Sequence, residues 1–143
     1  MKRILTLFAA ALFTLMAAAQ NDADRILGNY MSKLSNNDAK AKIFKYNGGY
    51  RMQIYWLRDT HNPDGTLKTD SKNPDKAKRN TPMTEVVLVD RVTYQDGIWT
   101  NGRIYDPKTG KDYKTELRLK GNTLELRGIA GPFHKDIIWT KIQ

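Results

Sequence analysis

The sequence predicts an all-β protein built as an eight-stranded antiparallel up-and-down β-barrel, with a β-sandwich as the runner-up. Two observations carry this. Apolar and polar residues alternate with a period of two through most of residues 39–142. The alternating runs are separated at short spacing by turn dipeptides, Asn47-Gly48, Asp96-Gly97 and Gly121-Asn122, whose residues tolerate the positive φ that a two-residue hairpin turn demands. Eight strands enclose an interior just wide enough to be filled by side chains or to hold one small ligand.

The first residues read as a secretory signal rather than part of the fold. Lys2 and Arg3 form a positive start, Ile4 to Met16 an apolar stretch too short to span a bilayer comfortably, and Ala17-Ala18-Ala19 a small-residue cleavage site. Cleavage is expected after Ala19, leaving residues 20–143 as one exported domain, periplasmic or extracellular. The chain has no cysteine, so neither a lipid-bearing cysteine nor a disulfide is available, and burial alone must hold the fold. No later apolar run is long enough for a transmembrane segment.

Asp22 is placed to cap a helical turn through Ile26, which Gly28 can end. Gly28 to Met31 reads as the first strand. Residues 39–46 and 49–57 flank Asn47-Gly48, which sets Ile43 opposite Met52, Ala41 opposite Ile54 and Ala39 opposite Trp56. Small residues facing large ones suit a curved inner face, and Lys40, Lys42, Arg51 and Gln53 then face solvent. Residues 58–83 break the alternation: they are polar, hold three prolines and read as one long loop, a candidate lid or binding loop. Strands follow at 84–94, 98–105, 111–119, 123–129 and roughly 136–142.

The turn at Gly121-Asn122 checks its own register. It pairs Leu119 with Leu124 and Leu117 with Leu126 on one face, and Arg118 with Glu125 and Glu116 with Arg127 on the other. A slip of one residue would set leucine against glutamate and lose both matches.

The formal charge is +9, or +7 once Lys2 and Arg3 are removed. The basic residues are dispersed and alternate with acids, which fits a solvated basic surface and not a nucleic-acid interface. Metal and catalytic motifs are missing. His61 and His134 are the only histidines, and Asn62-Pro63-Asp64-Gly65 reads as a turn because Thr60 and Ser71 stand where a calcium loop needs acids. Ser32, Ser35 and Ser71 sit in no nucleophile motif. No cofactor is expected.

One constellation has the character of a site. The Asp96-Gly97 turn pairs Tyr94 with Trp99, Val92 with Asn101, Asp90 with Arg103 and Leu88 with Tyr105. The next turn decides where this face points. A four-residue loop, Pro107 to Gly110, pairs Ile104 with Tyr113 and turns the arginine face outward. A five-residue loop pairs Tyr105 with Tyr113 and turns it into the barrel. In the second case Asp90, Asn101 and Arg103 would form a polar group among Trp56, Trp99, Tyr105 and Tyr113, with Arg103 holding an anionic head group and the aromatics an apolar body. In the first case the stripe is exposed over an ordinary packed core. Trp56 and Trp139 are assigned to the core, because large aromatics dominate packing.

The run Trp99 to Tyr113, with its Tyr105-Asp106-Pro107 to Gly110-Lys111-Asp112-Tyr113 centre, then Leu126 to Gly131, Trp139-Thr140 and Asn73-Pro74-Asp75, resembles a bacterial family catalogued as domain-of-unknown-function family 2147. The resemblance spans nearly all of residues 20–143. It implies a calycin-like barrel, the class that includes lipocalins and fatty-acid-binding proteins, and an exported location, but no reaction. The first-strand Gly-x-Trp of that class stands here as Gly28-Asn29-Tyr30, so the tyrosine departs from the pattern.

These readings converge on an exported, monomeric binding protein for a small apolar or amphipathic ligand held in the barrel, with no catalysis. One alternative is an envelope interaction module that uses residues 58–83 and surface aromatics. A weaker one is an enzyme acting on envelope material with Asp90 or Asp106 as a base.

Overall fold

The structure, a computed structural model, describes residues 22–33 and 37–143. The expected signal segment and its cleavage site lie outside the described residues. Eight strands follow in chain order: β1 (Gly28–Lys33), β2 (Asp38–Tyr46), β3 (Gly49–Leu57), β4 (Val87–Gln95), β5 (Ile98–Asp106), β6 (Lys111–Lys120), β7 (Thr123–Ala130) and β8 (Phe133–Lys141). Each pairs with its sequence neighbour, and β1 pairs with β8 through Tyr30↔Lys141 and Met31↔Thr140. That last ladder closes the sheet into a barrel and excludes the sandwich. No helix among the described residues is long and apolar enough to cross a membrane.

The turns set the registers. Asn47 (φ 45°) with Gly48 and Asp96 (φ 50°) with Gly97 take the left-handed backbone that matches the twist of the flanking strands. All four expected pairs across Gly121-Asn122 are present. The ion pairs nevertheless choose other partners. Arg118 binds Glu116 on its own strand at 3.1 Å, Lys120 approaches Glu125 at 3.7 Å, and Arg127 forms a two-pronged pair with Asp136 of β8 at 2.8 and 3.1 Å. The hydrogen-bonded Arg127 guanidinium holds the Asp136 carboxyl below the usual carboxylate range. The last strand begins three residues earlier than expected, at Phe133, because Gly131 (φ 58°) and Pro132 make a tight turn.

Two corrections concern β3. Ile43↔Met52 and Ala41↔Ile54 pair as expected, but a bulge between Lys40 and Ala41 moves Ala39 opposite Leu57 and sets Trp56 opposite Lys40. Trp56 is therefore half-buried on the outer wall, with the Lys40 ammonium 4.7 Å from its ring centre, and does not join the core. Leu57 takes the inward place instead.

Side chains occupy the barrel interior: Tyr30, Ile43, Met52, Val89, Val92, Trp99, Leu117, Leu124 and Leu126 are the large, fully buried ones. One end is plugged by the helical turn at residues 22–24, which lies by the turns at 47–48, 96–97 and 121–122. Trp99 Nε1 donates to the Ala23 carbonyl (3.0 Å), Tyr30 Oη to the Ile26 carbonyl (2.7 Å) and Tyr50 Oη to Asp24 Oδ1 (2.6 Å). Each bond satisfies a polar tip that would otherwise be buried unpaired. Residues 58–86 leave from the opposite end.

Candidate functional site

The turn after β5 has four residues. Ile104 pairs with Tyr113 and Asp106 with Lys111, so the arginine face looks outward. A second feature splits that face. Asn101 takes φ 64° and the β5–β6 register shifts between Trp99 and Gly102, a bulge that reverses which side later residues face. Trp99 before it is wholly buried inside, and Ile104 after it points inward, leaving Arg103 exposed on the outer wall.

The seven expected site residues are therefore not gathered inside the barrel. Trp99 is core, Tyr113 is half-buried opposite Ile104, and Trp56 stands beside Lys40. The other four, Asp90, Asn101, Arg103 and Tyr105, do come together, outside. They line a groove of about 880 Å³ between the outer wall of β4–β5 and the long loop.

The loop builds the second wall because it is tied to the sheet and to itself. Asp70, 3% exposed, accepts a 2.6 Å bond from Tyr105 Oη on one carboxylate oxygen and a 2.8 Å bond from Asn73 Nδ2 on the other. Its backbone N–H donates to the Thr81 carbonyl, and Met83 N–H to the Lys68 carbonyl. Asp75 caps the short 3-10 turn Lys76–Lys78 by accepting from Ala77 N–H, and Arg79 Nε donates to the Asn73 carbonyl. A Cβ on Gly110 (φ 73°) would collide with the Lys72 carbonyl, so only glycine lets the loop lie this close to the β5–β6 turn. Asn62-Pro63-Asp64-Gly65 is a turn as expected, with the Thr66 hydroxyl and N–H both donating to Asp64 and holding its carboxyl below the usual range.

Burial, with the Asp70 carboxylate beside it, pushes the Tyr105 hydroxyl well above the ordinary tyrosine range, so it is a proton donor to Asp70 and not a base. Asp90 is held by Arg51, which reaches across from β3 at 3.1 Å. Arg103 donates to the Asp112 carbonyl at 3.3 Å. Val86, Val87, Leu88 and Pro74 supply an apolar strip, and Lys78, Glu85, Arg91 and Asp112 further charges. Sequence reasoning missed the loop's contribution, Asp70 and Asn73 above all. The Asn73-Pro74-Asp75 segment had marked the place without its role.

A closed eight-stranded up-and-down barrel, plugged at one end by a short helical turn, is a lipocalin-like fold. The chain belongs to the family described as "Uncharacterized protein conserved in bacteria (DUF2147)", which matches residues 28–141. Among solved structures it is similar to one titled "Protein HP1028 from the human pathogen Helicobacter pylori belongs to the lipocalin family", with a TM-score of 0.67, 21% identity, and 82% of this chain and 83% of that one covered. No curated protein matches the chain.

Proposed function

We propose that this is an exported, non-catalytic binding protein for a small amphipathic molecule, and that its ligand lies in the groove on the outer wall. The observation that supports it is the groove itself: some 880 Å³ in which an apolar strip runs beside fixed polar groups, the composition of a small-molecule site. The barrel interior, by contrast, is taken up by large buried side chains. Export rests on the signal-like start of the sequence, and the mass of the mature protein tests it: a species retaining residues 1–19 would refute cleavage there.

Native mass spectrometry of the purified protein after incubation with an envelope lipid extract tests the binding. The wild type should retain an amphipathic adduct. Tyr105→Ala, which removes a groove wall and the loop's anchor, should lose it. An adduct equally abundant on both proteins would move the site elsewhere, and no adduct on the wild type would remove the reading.

A further inference from the structure

We propose that Arg91 and Asn101 form the head-group end of this groove and select a carboxylate. The proposal rests on the groove being the ligand site and names the ligand's polar group.

The first observation is backbone strain in an unexpected place. Arg91 (φ 49°) and Asn101 (φ 64°) are left-handed residues inside strands, not in turns. They fall in one interrupted cell of the β4–β5 ladder, between the pairs Asp90↔Arg103 and Thr93↔Thr100. Asparagine tolerates this conformation. For arginine it is uncommon, and glycine adopts it freely. Glycine is used next door, at Gly102, where a Cβ would meet the Asp90 carbonyl oxygen at 2.5 Å. The effect of the bulges is to present extra side chains outward: Asp90 and Arg91 are consecutive, yet both are exposed and both line the groove. Strain of this kind is a recurrent feature of ligand sites.

The second observation is the bonding inventory. Among the described residues the Arg91 guanidinium has no hydrogen-bond or ion-pair partner. Asn101 Nδ2 is held only by a long 3.4 Å bond to Thr93 Oγ1. The nearest acid in sequence, Asp90, is already taken by Arg51. A planar guanidinium fork with an amide donor beside it matches the two oxygens of a carboxylate.

The third is how charge is distributed along the groove. Asp70 and Asp75 are engaged within the loop. Asp90, next to Arg91, is neutralised by Arg51, and the remaining acids lie toward the far end: Asp112 pairs with Tyr105, and Glu85 precedes Arg91 by six residues, roughly 20 Å of extended chain. Between them run Val87, Leu88 and Tyr105. With Asp90 neutralised, an anion is favoured at the Arg91 end, while at the other Asp112 and Glu85 offset Arg103, which suits one carboxylate on an apolar body.

Isothermal titration with dodecanoate and with dodecanol, both below their micelle concentrations, tests this on wild type, Arg91→Gly and Asn101→Gly. The wild type should bind dodecanoate about tenfold or more tightly over dodecanol, the scale of one charge-assisted hydrogen-bonded contact. Both glycine variants should melt at or above the wild-type temperature while that preference collapses. Equal binding of the two probes by wild type overturns the carboxylate proposal and leaves the groove reading standing. A preference that survives in both variants overturns it too, as does destabilisation of both, which would make the bulges purely architectural. Failure of both probes to bind removes the groove reading as well.

Discussion

Trp99 and Arg103, four residues apart on β5, project from opposite sides of the barrel wall. Strict alternation would place them on the same side. The left-handed Asn101 between them inserts the extra step. One residue thus separates a core anchor from a surface cation, and the two serve different parts of the protein.

The core part predicts a large loss on truncation. Trp99 is fully buried and its indole N–H holds the plug through the Ala23 carbonyl. Trp99→Ala should cost about 3–5 kcal/mol in urea unfolding. Trp99→Phe keeps most of the volume and loses the bond, leaving the Ala23 carbonyl unpaired, and should cost about 1–3 kcal/mol. A Trp99→Phe protein as stable as wild type would show that the bond to Ala23 does not secure the plug.

The surface part predicts a local effect. Tyr105→Phe removes the 2.6 Å bond to a carboxylate that is almost wholly buried. The deficit, about 1–3 kcal/mol, falls on residues 58–86, whose attachment depends on Asp70, more than on the ladders of the barrel. Limited proteolysis should cut that loop several-fold faster in the variant, while urea unfolding of the barrel shifts little. Cleavage at the wild-type rate would mean the loop is held by its other contacts.

How far the fold was legible follows from where its determinants lie. The Gly121-Asn122 hairpin was readable because charge and apolar pattern agree on one register. Tyr94↔Trp99 and Asp90↔Arg103 were readable from the turn alone. The inner and outer assignment beyond Asn101 was not, because a bulge changes facing without changing the pairing with β4. A signal existed: Asn101-Gly102 is a turn dipeptide in mid-strand, which marks a bulge when no turn is present. Trp56 failed for the same reason, one bulge away from its expected place. The docked loop was illegible for a different one. Its order comes from tertiary bonds such as Tyr105 to Asp70, which leave no period in the sequence.

Gly110→Ala should release the loop from the other side. The new methyl would strike the Lys72 carbonyl, and the backbone there has φ 73°, so both contact and conformation resist it. The expected cost is about 1–3 kcal/mol, with faster amide exchange at residues 70–75 as its local signature. Gly121→Ala is the control: its φ is 59° but nothing lies within 4 Å of the added atom, so it should lose stability without loosening the loop. Equal exchange in the two variants would dismiss the contact between Gly110 and Lys72 as an anchor.

Alkaline pH should unfold the barrel from its plug. Burial pushes the Tyr30 hydroxyl up from 10.0 to about 12, because its phenolate would lose water inside the core. Below pH 10 both folded and unfolded states keep the proton, and the stabilisation is fully present. Between pH 10 and 12 the unfolded chain releases it first, so stability falls with a slope of about 1.4 kcal/mol per pH unit, roughly 2–3 kcal/mol in all. Tyr105, raised in the same direction, adds to the loss above the ordinary tyrosine range. Tyr30→Phe starts lower at neutral pH, having lost its bond to the Ile26 carbonyl, and should show a shallower decline above pH 10. Urea midpoints measured from pH 8 to 12 decide it: parallel curves for the two proteins would mean that Tyr30 is not the group whose ionisation opens the plug.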